Sequence, residues 1–348
     1  MPVVWLIDAY RAGERGQVRA LVDALGWPCE TKVLRYRSHV FLPHVLGQST
    51  LRGISAASAA ELQPPWPDLV IASGVRNEPV CRWIRAQSGG RTRYVHIGRP
   101  WAALSSFDLV ITTPQYRVPS HPNVLNNVLT LHSVSAQRLA QARLEWETTF
   151  AALPRPRFAV LVGGDSGPFT LGPKAAGRLG REASQLARAH NGSLLVSTSA
   201  RTRPEAMDAL EAAIAAPSYF YRWQSADRTN PYMGILAWAD RVIVTGDSIA
   251  MLSEACATGK PVTMFDLGGM RDLQDESIRD FRLGGLLYAI LMRWFWRRLS
   301  RDITLVHRQL REEGSAVWTE EVLATARVPA ETDLQRAVAA VRKLFGEG

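Results

Sequence analysis

A chain of 348 residues, 47% of them apolar, has the length for two ordinary domains and too much apolar side chain for global disorder. A net charge of +9, spread as arginine along the chain, favours an anionic partner such as a nucleotide or an acidic lipid surface, and the lack of any RRM, zinc-finger or helix-turn-helix signature argues against nucleic acid. Cys29, Cys81 and Cys256 are odd in number and form no CxxC, a reduced pattern without a disulfide or zinc framework.

Residues 3–7 read as the first buried strand. They follow the start directly, without the basic and long apolar regions of a secretory leader, and no apolar run approaches the ~20 residues of a spanning helix. The expected location is therefore cytoplasmic. A polar loop carries Asp8, Arg11, Gly13 and Glu14, and an amphipathic helix over 17–25 ends at Gly26. A second strand is expected at 31–36. Pro64, Pro65 and Pro67 stiffen the approach to a strand at 68–72, with a helix over 78–87 behind it. Strands follow at 93–98 and 107–112, then a helix over 139–153. Pro154-Arg155-Pro156-Arg157 is the expected linker, dividing a first domain, 1–153, from a second, 154–330.

The second series starts at once: strand 158–162, loop Gly163-Gly164-Asp165, helix 172–189, strand 193–198, helix 204–215, short strand 218–221, then a helix entered through Asn230-Pro231-Tyr232. Strand 242–244 turns at Thr245-Gly246-Asp247-Ser248 into a helix with Ile249, Leu252 and Ala255 three apart, and Gly259 stops it before strand 261–265. Alternating strands and helices predict α/β units with parallel sheets covered on both faces. Segment 284–301 differs. Leu286, Leu287, Ile290, Leu291 and Trp294 share one helical face, with Arg293, Arg297 and Arg301 on another stripe. That suits an anionic membrane surface; the plainer alternative is a helix packed on its own domain with solvated arginines. Residues 331–348 form a last amphipathic helix, expected to pack on the first domain.

Ligands of parallel α/β sheets sit at the carboxyl ends of the strands. Three strand-end loops of the second half meet there. Small residues at Gly163 and Gly164 let backbone N–H groups approach a ligand. Thr198, Ser199 and Arg201 offer hydroxyls and a guanidinium to a diphosphate. Thr245 to Ser248 opens a helix whose free N–H groups suit phosphate, and Glu254, about two turns on, suits the vicinal hydroxyls of a ribose. Each feature alone is common: a Gly-Gly is often only a turn, and Ser248 is a good helix cap. In the first half, Asp8, Glu14 and His96 are the strand-end groups able to act as a general base, although Asp8 also fits a helix cap and His96 a satisfied strand residue. No GxGxxG or GxxxxGK[ST] is present, nor any cluster with metal spacing, so a metal-independent reaction without a resident cofactor is expected. Gly246-Asp247-Ser248 also invites a GDSL-like serine hydrolase. That reaction needs a DxxH block, whereas Asp302 and His307 are five apart.

The stretches VWLIDAYRAGERGQ, PDLVIASGVRNEPVCRWI, HIGRP, FDLVITTPQY, VGGDSG, VSTSART and NPYMGILAWADRVIVTGDSIAMLSEACATGKPV occur in this order over residues 3–265. Together they resemble the mitochondrial-fission "elongated mitochondria" family of GT-B-like proteins. The resemblance implies two facing Rossmann-like domains, with a nucleotide-sugar site in the second. Its donor positions carry over to Gly163, Gly164, Thr198, Ser199, Arg201, Asn230, Tyr232, Thr245, Gly246, Asp247, Ser248, Met251 and Glu254. The expectation is a glycosyltransferase taking a nucleoside-diphosphate sugar, UDP-linked, to a lipid or glycan acceptor at the cytoplasmic membrane face. A non-catalytic membrane scaffold on the same fold is the alternative from outside enzymology. Residues 270–300 depart from the family pattern.

Overall fold

Alternation within the first strands sets the architecture. In Val4–Ile7 (β1), Val4 and Leu6 point to one face and Trp5 and Ile7 to the other, and all four are buried. The same division runs through Leu69–Ser73 (β3), Arg93–Ile97 (β4) and Leu109–Thr112 (β5). A strand apolar on both faces has to be covered on both. One face packs against Val18, Leu21 and Leu25 of helix Ala12–Leu25 and Ala337 and Val341 of helix Asp333–Lys343. The other packs against Val80, Cys81 and Ile84 of helix Glu78–Gln87.

The computed structural model describes residues 1–37, 48–225, 229–271, 280–294, 300–319 and 332–347. With the edge strands Cys29–Lys32 (β2) and Val124–Asn126 (β6), the first sheet runs β2-β1-β3-β4-β5-β6, all parallel. A second parallel sheet joins Arg157–Leu161 (β7), Ser193–Ser197 (β8), Ser218–Tyr221 (β9), Arg241–Thr245 (β10), Val262–Phe265 (β11) and Val317–Trp318 (β12). Its order is β12-β11-β10-β7-β8-β9. The winding direction reverses between β1 and β3 in the first sheet and between β7 and β10 in the second. Such reversals open a crevice at the strand ends.

The chain divides into Met1–Ser133 with Ala330–Gly348, and Val134–Pro329. This boundary lies before the Pro154–Arg157 stretch expected to be a linker. Helices Ala136–Glu145 and Glu147–Phe150 belong to the second unit because Trp238 donates its indole N–H to Arg143 O at 2.8 Å and Phe150 packs edge-on to Tyr219. The stretch itself is held in place. Asp240 accepts from Arg157 N at 2.7 Å and pairs with Arg155, and the buried Arg157 guanidinium donates to Ala151 O and Leu153 O. β2 starts at Cys29 rather than Thr31, leaving the apolar Val33 60% exposed beyond its end. Among the described residues no helix is long and apolar enough to cross a membrane.

Candidate functional site

At the β7/β10 crossover the two strand-end turns are locked into each other. Thr245 Oγ1 accepts from Gly163 N, and Asp247 Oδ2 accepts from Gly164 N, both at 2.8 Å. A Cβ on Gly163 would collide with the Asp247 carboxylate, and one on Gly164 with the Arg201 backbone. The paired glycines are therefore required by close packing inside the protein. Their N–H groups, expected to face a ligand, are already used. Arg201 Nη2 lies 2.9 Å from Asp247 Oδ2 and Nη1 donates to Asp165 O at 2.9 Å. Ser199 Oγ donates to Gly163 O at 2.8 Å. Thr198 is buried, accepting from Trp223 N and donating to Tyr221 O, so it ties β8 to β9 instead of reaching a ligand.

Two helices begin at this crossover, and they differ. Helix Pro173–Ala189 is capped from far along the chain: the Asp280 carboxylate accepts from Gly172 N, Lys174 N and Ala175 N at 2.9–3.1 Å. Its N-terminal partial charge is thereby spent on an internal anion. Helix Ile249–Cys256 begins at Ser248 with no side-chain cap bond. Among the described residues no side chain takes its first N–H groups, which leaves its positive end open. The buried Asp247 carboxylate stands beside that end, paired with Arg201, and among the described residues its Oδ1 has no hydrogen-bond partner.

Further along the same helix, Glu254 accepts from the Tyr232 hydroxyl at 2.5 Å. Burial pushes the Glu254 carboxyl above its ordinary range, against the opposing hydrogen bond from Tyr232 and the field of Arg138. Met251 is half-buried on the intervening turn. Asn230 is exposed and its side-chain oxygen accepts from Tyr232 N at 2.9 Å, an Asx turn that starts helix Tyr232–Trp238. Gly246 has no room for a side chain because Met270, Phe265 and His307 enclose it. His307 Nε2 meets the Gly246 carbonyl at 2.6 Å, and burial pulls its imidazole down to about 4. This histidine binds the turn backbone rather than the Ser248 hydroxyl.

Four charged partners of this site are not found from the sequence, and three of them lie over 100 residues along the chain from the groups they bind. Arg203 pairs with Asp165, Arg282 lies 3.4 Å from Asp165 and donates to Gly167 O, and Arg301 donates to Ser166. Asp280 is the fourth. Arg301, expected with Arg293 and Arg297 on a stripe facing a membrane surface or, in the alternative, solvent, is instead folded onto the loop after β7. Arg297 lies outside the described residues.

The β1/β3 crossover of the first unit is built from acids. Asp8 holds Arg15 at 3.0 Å, and the Glu14 carboxylate lies against Gly74 and 3.8 Å from Arg11. His96, read as a possible base, is wholly enclosed. Tyr94 Oη lies 3.0 Å from Nδ1, Glu78 Oε1 lies 3.8 Å from Nε2, and burial pulls the imidazole down to about 4. It does not reach a ligand. Glu78 is buried too, accepting from Trp101 N and Ala102 N at 2.8 and 2.9 Å, and burial pushes its carboxyl up to about 7.

Two doubly wound parallel sheets in one chain, each reversing at a polar crossover, define an α/β protein of GT-B architecture, a fold it shares with UDP-GlcNAc 2-epimerases. UDP-GlcNAc 2-epimerase from Methanocaldococcus jannaschii superimposes with a TM-score of 0.54 at 8% identity, covering 100% of both chains. The UDP-GlcNAc-bound 2-epimerase from Neisseria meningitidis gives 0.50 at 13% identity, again over 100% of both. A sequence profile described as Mitochondrial fission ELM1 matches residues 12–345, and the chain belongs to that family. Mitochondrial fission protein ELM1 of Arabidopsis thaliana is 28% identical over 237 residues, 62% of this chain. The matched part is about half, 55%, of the plant protein.

Proposed function

We propose that the chain is a GT-B glycosyltransferase that moves a sugar from a nucleoside-diphosphate donor, UDP-linked, to a membrane-associated lipid or glycan. The observation that carries this reading is the open start of helix Ile249–Cys256 at the crossover, with Arg201 beside it and the Glu254–Tyr232 pair further along the same helix. The diphosphate takes the free N–H groups from Ile249 onward, with the Ser248 hydroxyl as an added donor. Arg201 and the helix dipole stabilise charge as the nucleoside diphosphate departs. Glu254 accepts from the ribose hydroxyls. Among the expected bases, Asp8 and Glu14 lie at the mouth of the first sheet, and either serves the acceptor hydroxyl once its ion pair opens. The reaction uses no metal or resident cofactor, and the protein acts from the cytoplasmic face of the membrane.

Calorimetry against UDP-, GDP-, ADP- and CMP-sugars tests the donor. One UDP-sugar binds, and Glu254→Ala weakens it at least tenfold with the circular dichroism unchanged. A folded protein that binds none of the panel removes the transferase reading. Product analysis by carbon-13 NMR separates transfer from epimerisation of the same donor.

A further inference from the structure

Helix Leu283–Trp294 and the residues leading into it are inverted relative to an ordinary surface helix. Arg282, Gly285 and Tyr288, three apart, face the protein. Arg282 donates to Gly167 O at 2.7 Å, Gly285 sits so close to the Pro168 carbonyl that a Cβ would come within 3.0 Å, and Tyr288 packs on Gly167 while its hydroxyl accepts from Arg301 N at 2.8 Å. The outward stripe is apolar. Phe281, Leu283, Leu286, Leu287 and Ile290 are 80%, 62%, 50%, 60% and 45% exposed. Spacing of three and four places Leu283, Leu286, Leu287 and Ile290 on one face. The side chains of Leu291 and Trp294, also expected on this face, lie outside the described residues.

The five described side chains expose on the order of 500 Å² of apolar surface. A chain of net charge +9 repels its own copy and is drawn to an anionic surface. Apolar side chains on one helical face of a basic protein match the interfacial layer of a bilayer. We propose that this stripe seats the protein on an anionic membrane, with Arg282 and Tyr288 fixing the seat to the loop that follows β7 at the candidate donor site. This deepens the transferase reading, on which it rests only for the statement that a lipid-borne acceptor is brought beside the donor.

Co-sedimentation with vesicles of phosphatidylglycerol in phosphatidylcholine tests it, with pure phosphatidylcholine as the neutral arm. The parent protein sediments with the anionic vesicles. The Leu286→Ser/Leu287→Ser variant alters only exposed side chains, so its melting temperature is unchanged and its vesicle affinity falls at least tenfold. Equal sedimentation of variant and parent overturns the proposal, as does a parent that stays in the supernatant. Equal binding to the neutral vesicles overturns the electrostatic part. A parent that elutes as a dimer which the variant dissolves assigns the stripe to a second copy instead. UDP-sugar calorimetry on the same samples reports separately on the donor reading, so vesicle binding without nucleotide binding retains the seat and rejects the transferase.

Discussion

At the first crossover the strand ends present carboxylates: Asp8 and Glu14 at the mouth, and Glu78 enclosed behind them beside His96. At the second they present arginines: Arg201, Arg203, Arg282 and Arg301 gather on one loop whose counter-charges are Asp165 and Asp247. The backbone device is the same in both sheets, a reversal of winding that opens the strand ends. The charges that gather there differ: carboxylates paired with Arg15 and Arg11 at the first, arginines paired with Asp165 and Asp247 at the second. Within the second crossover a finer contrast applies. The glycine-rich turn is closed on itself, one helix end is capped by Asp280, and the other is open.

The closed turn is the easiest part to break. Gly163→Ala drives a methyl into the buried Asp247 carboxylate, and urea unfolding is expected to show a loss of roughly 3 kcal/mol. A loss near zero would mean that the turn yields and its N–H groups are free for a ligand after all. The acidic crossover is sharpened by pH. Buried His96 keeps off, between about 6.5 and about 4, a proton that the unfolded chain takes, so its contribution to stability falls as pH falls. Glu78 does the reverse: between its unfolded range and about 7 the folded chain keeps a proton that the unfolded chain releases, so stability falls as pH rises. The two offset each other below pH 6.5. Glu78→Gln removes one of them, and acid sensitivity should steepen by about 1.4 kcal/mol per pH unit in thermal melts between pH 6.5 and 4.5. An unchanged slope would show that the two groups do not titrate in opposite senses.

The contrast in ligand sign predicts a smaller, selective effect. Arg201→Gln should weaken UDP-sugar binding about tenfold, about 1.4 kcal/mol, while Arg15→Gln at the acidic crossover leaves it unchanged. Equal losses in calorimetry would deny the division of labour. The smallest expected effect lies away from both sites. Thr332 caps helix Asp333–Lys343 in a reciprocal box with Gln335, and Thr332→Ala should cost about 1 kcal/mol. Hydrogen exchange should then quicken in that helix and in Ala12–Leu25, which it packs against; faster exchange spread evenly over both sheets would contradict this.

The central strands were legible because their two buried faces leave continuous apolar runs, as in Leu69-Val70-Ile71 and Val242-Ile243-Val244. Of the edge strands, only β9, at 218–221, was read at its observed bounds. Cys29, Glu30 and Thr31 are exposed, so β2 carries no run to read, and β6 and β12 are three and two residues long. At the site, the turn at Thr245–Ser248 and the loop at Gly163 were found because Gly and small polar residues follow a strand. Their use was misread. A Gly-Gly can admit a ligand or a neighbouring side chain, and only tertiary packing shows that Asp247 fills the space. His96 was misassigned for a similar reason: a polar residue near a strand end looks the same in sequence whether it faces solvent or the core. Asp280 and Arg282 carry no local signal, since the helix start and loop they bind lie over 100 residues earlier.

The first unit comprises Met1–Ser133 and Ala330–Gly348, with the whole of the second unit between them in the sequence. A ribosome therefore completes the second sheet before it releases the helix that covers Val18, Leu21 and Leu25. Until then the first sheet has one apolar face incompletely covered, a period in which the nascent chain is a natural client for a chaperone. Moving segment 332–347 ahead of residue 1 by circular permutation would let the first unit close as it emerges.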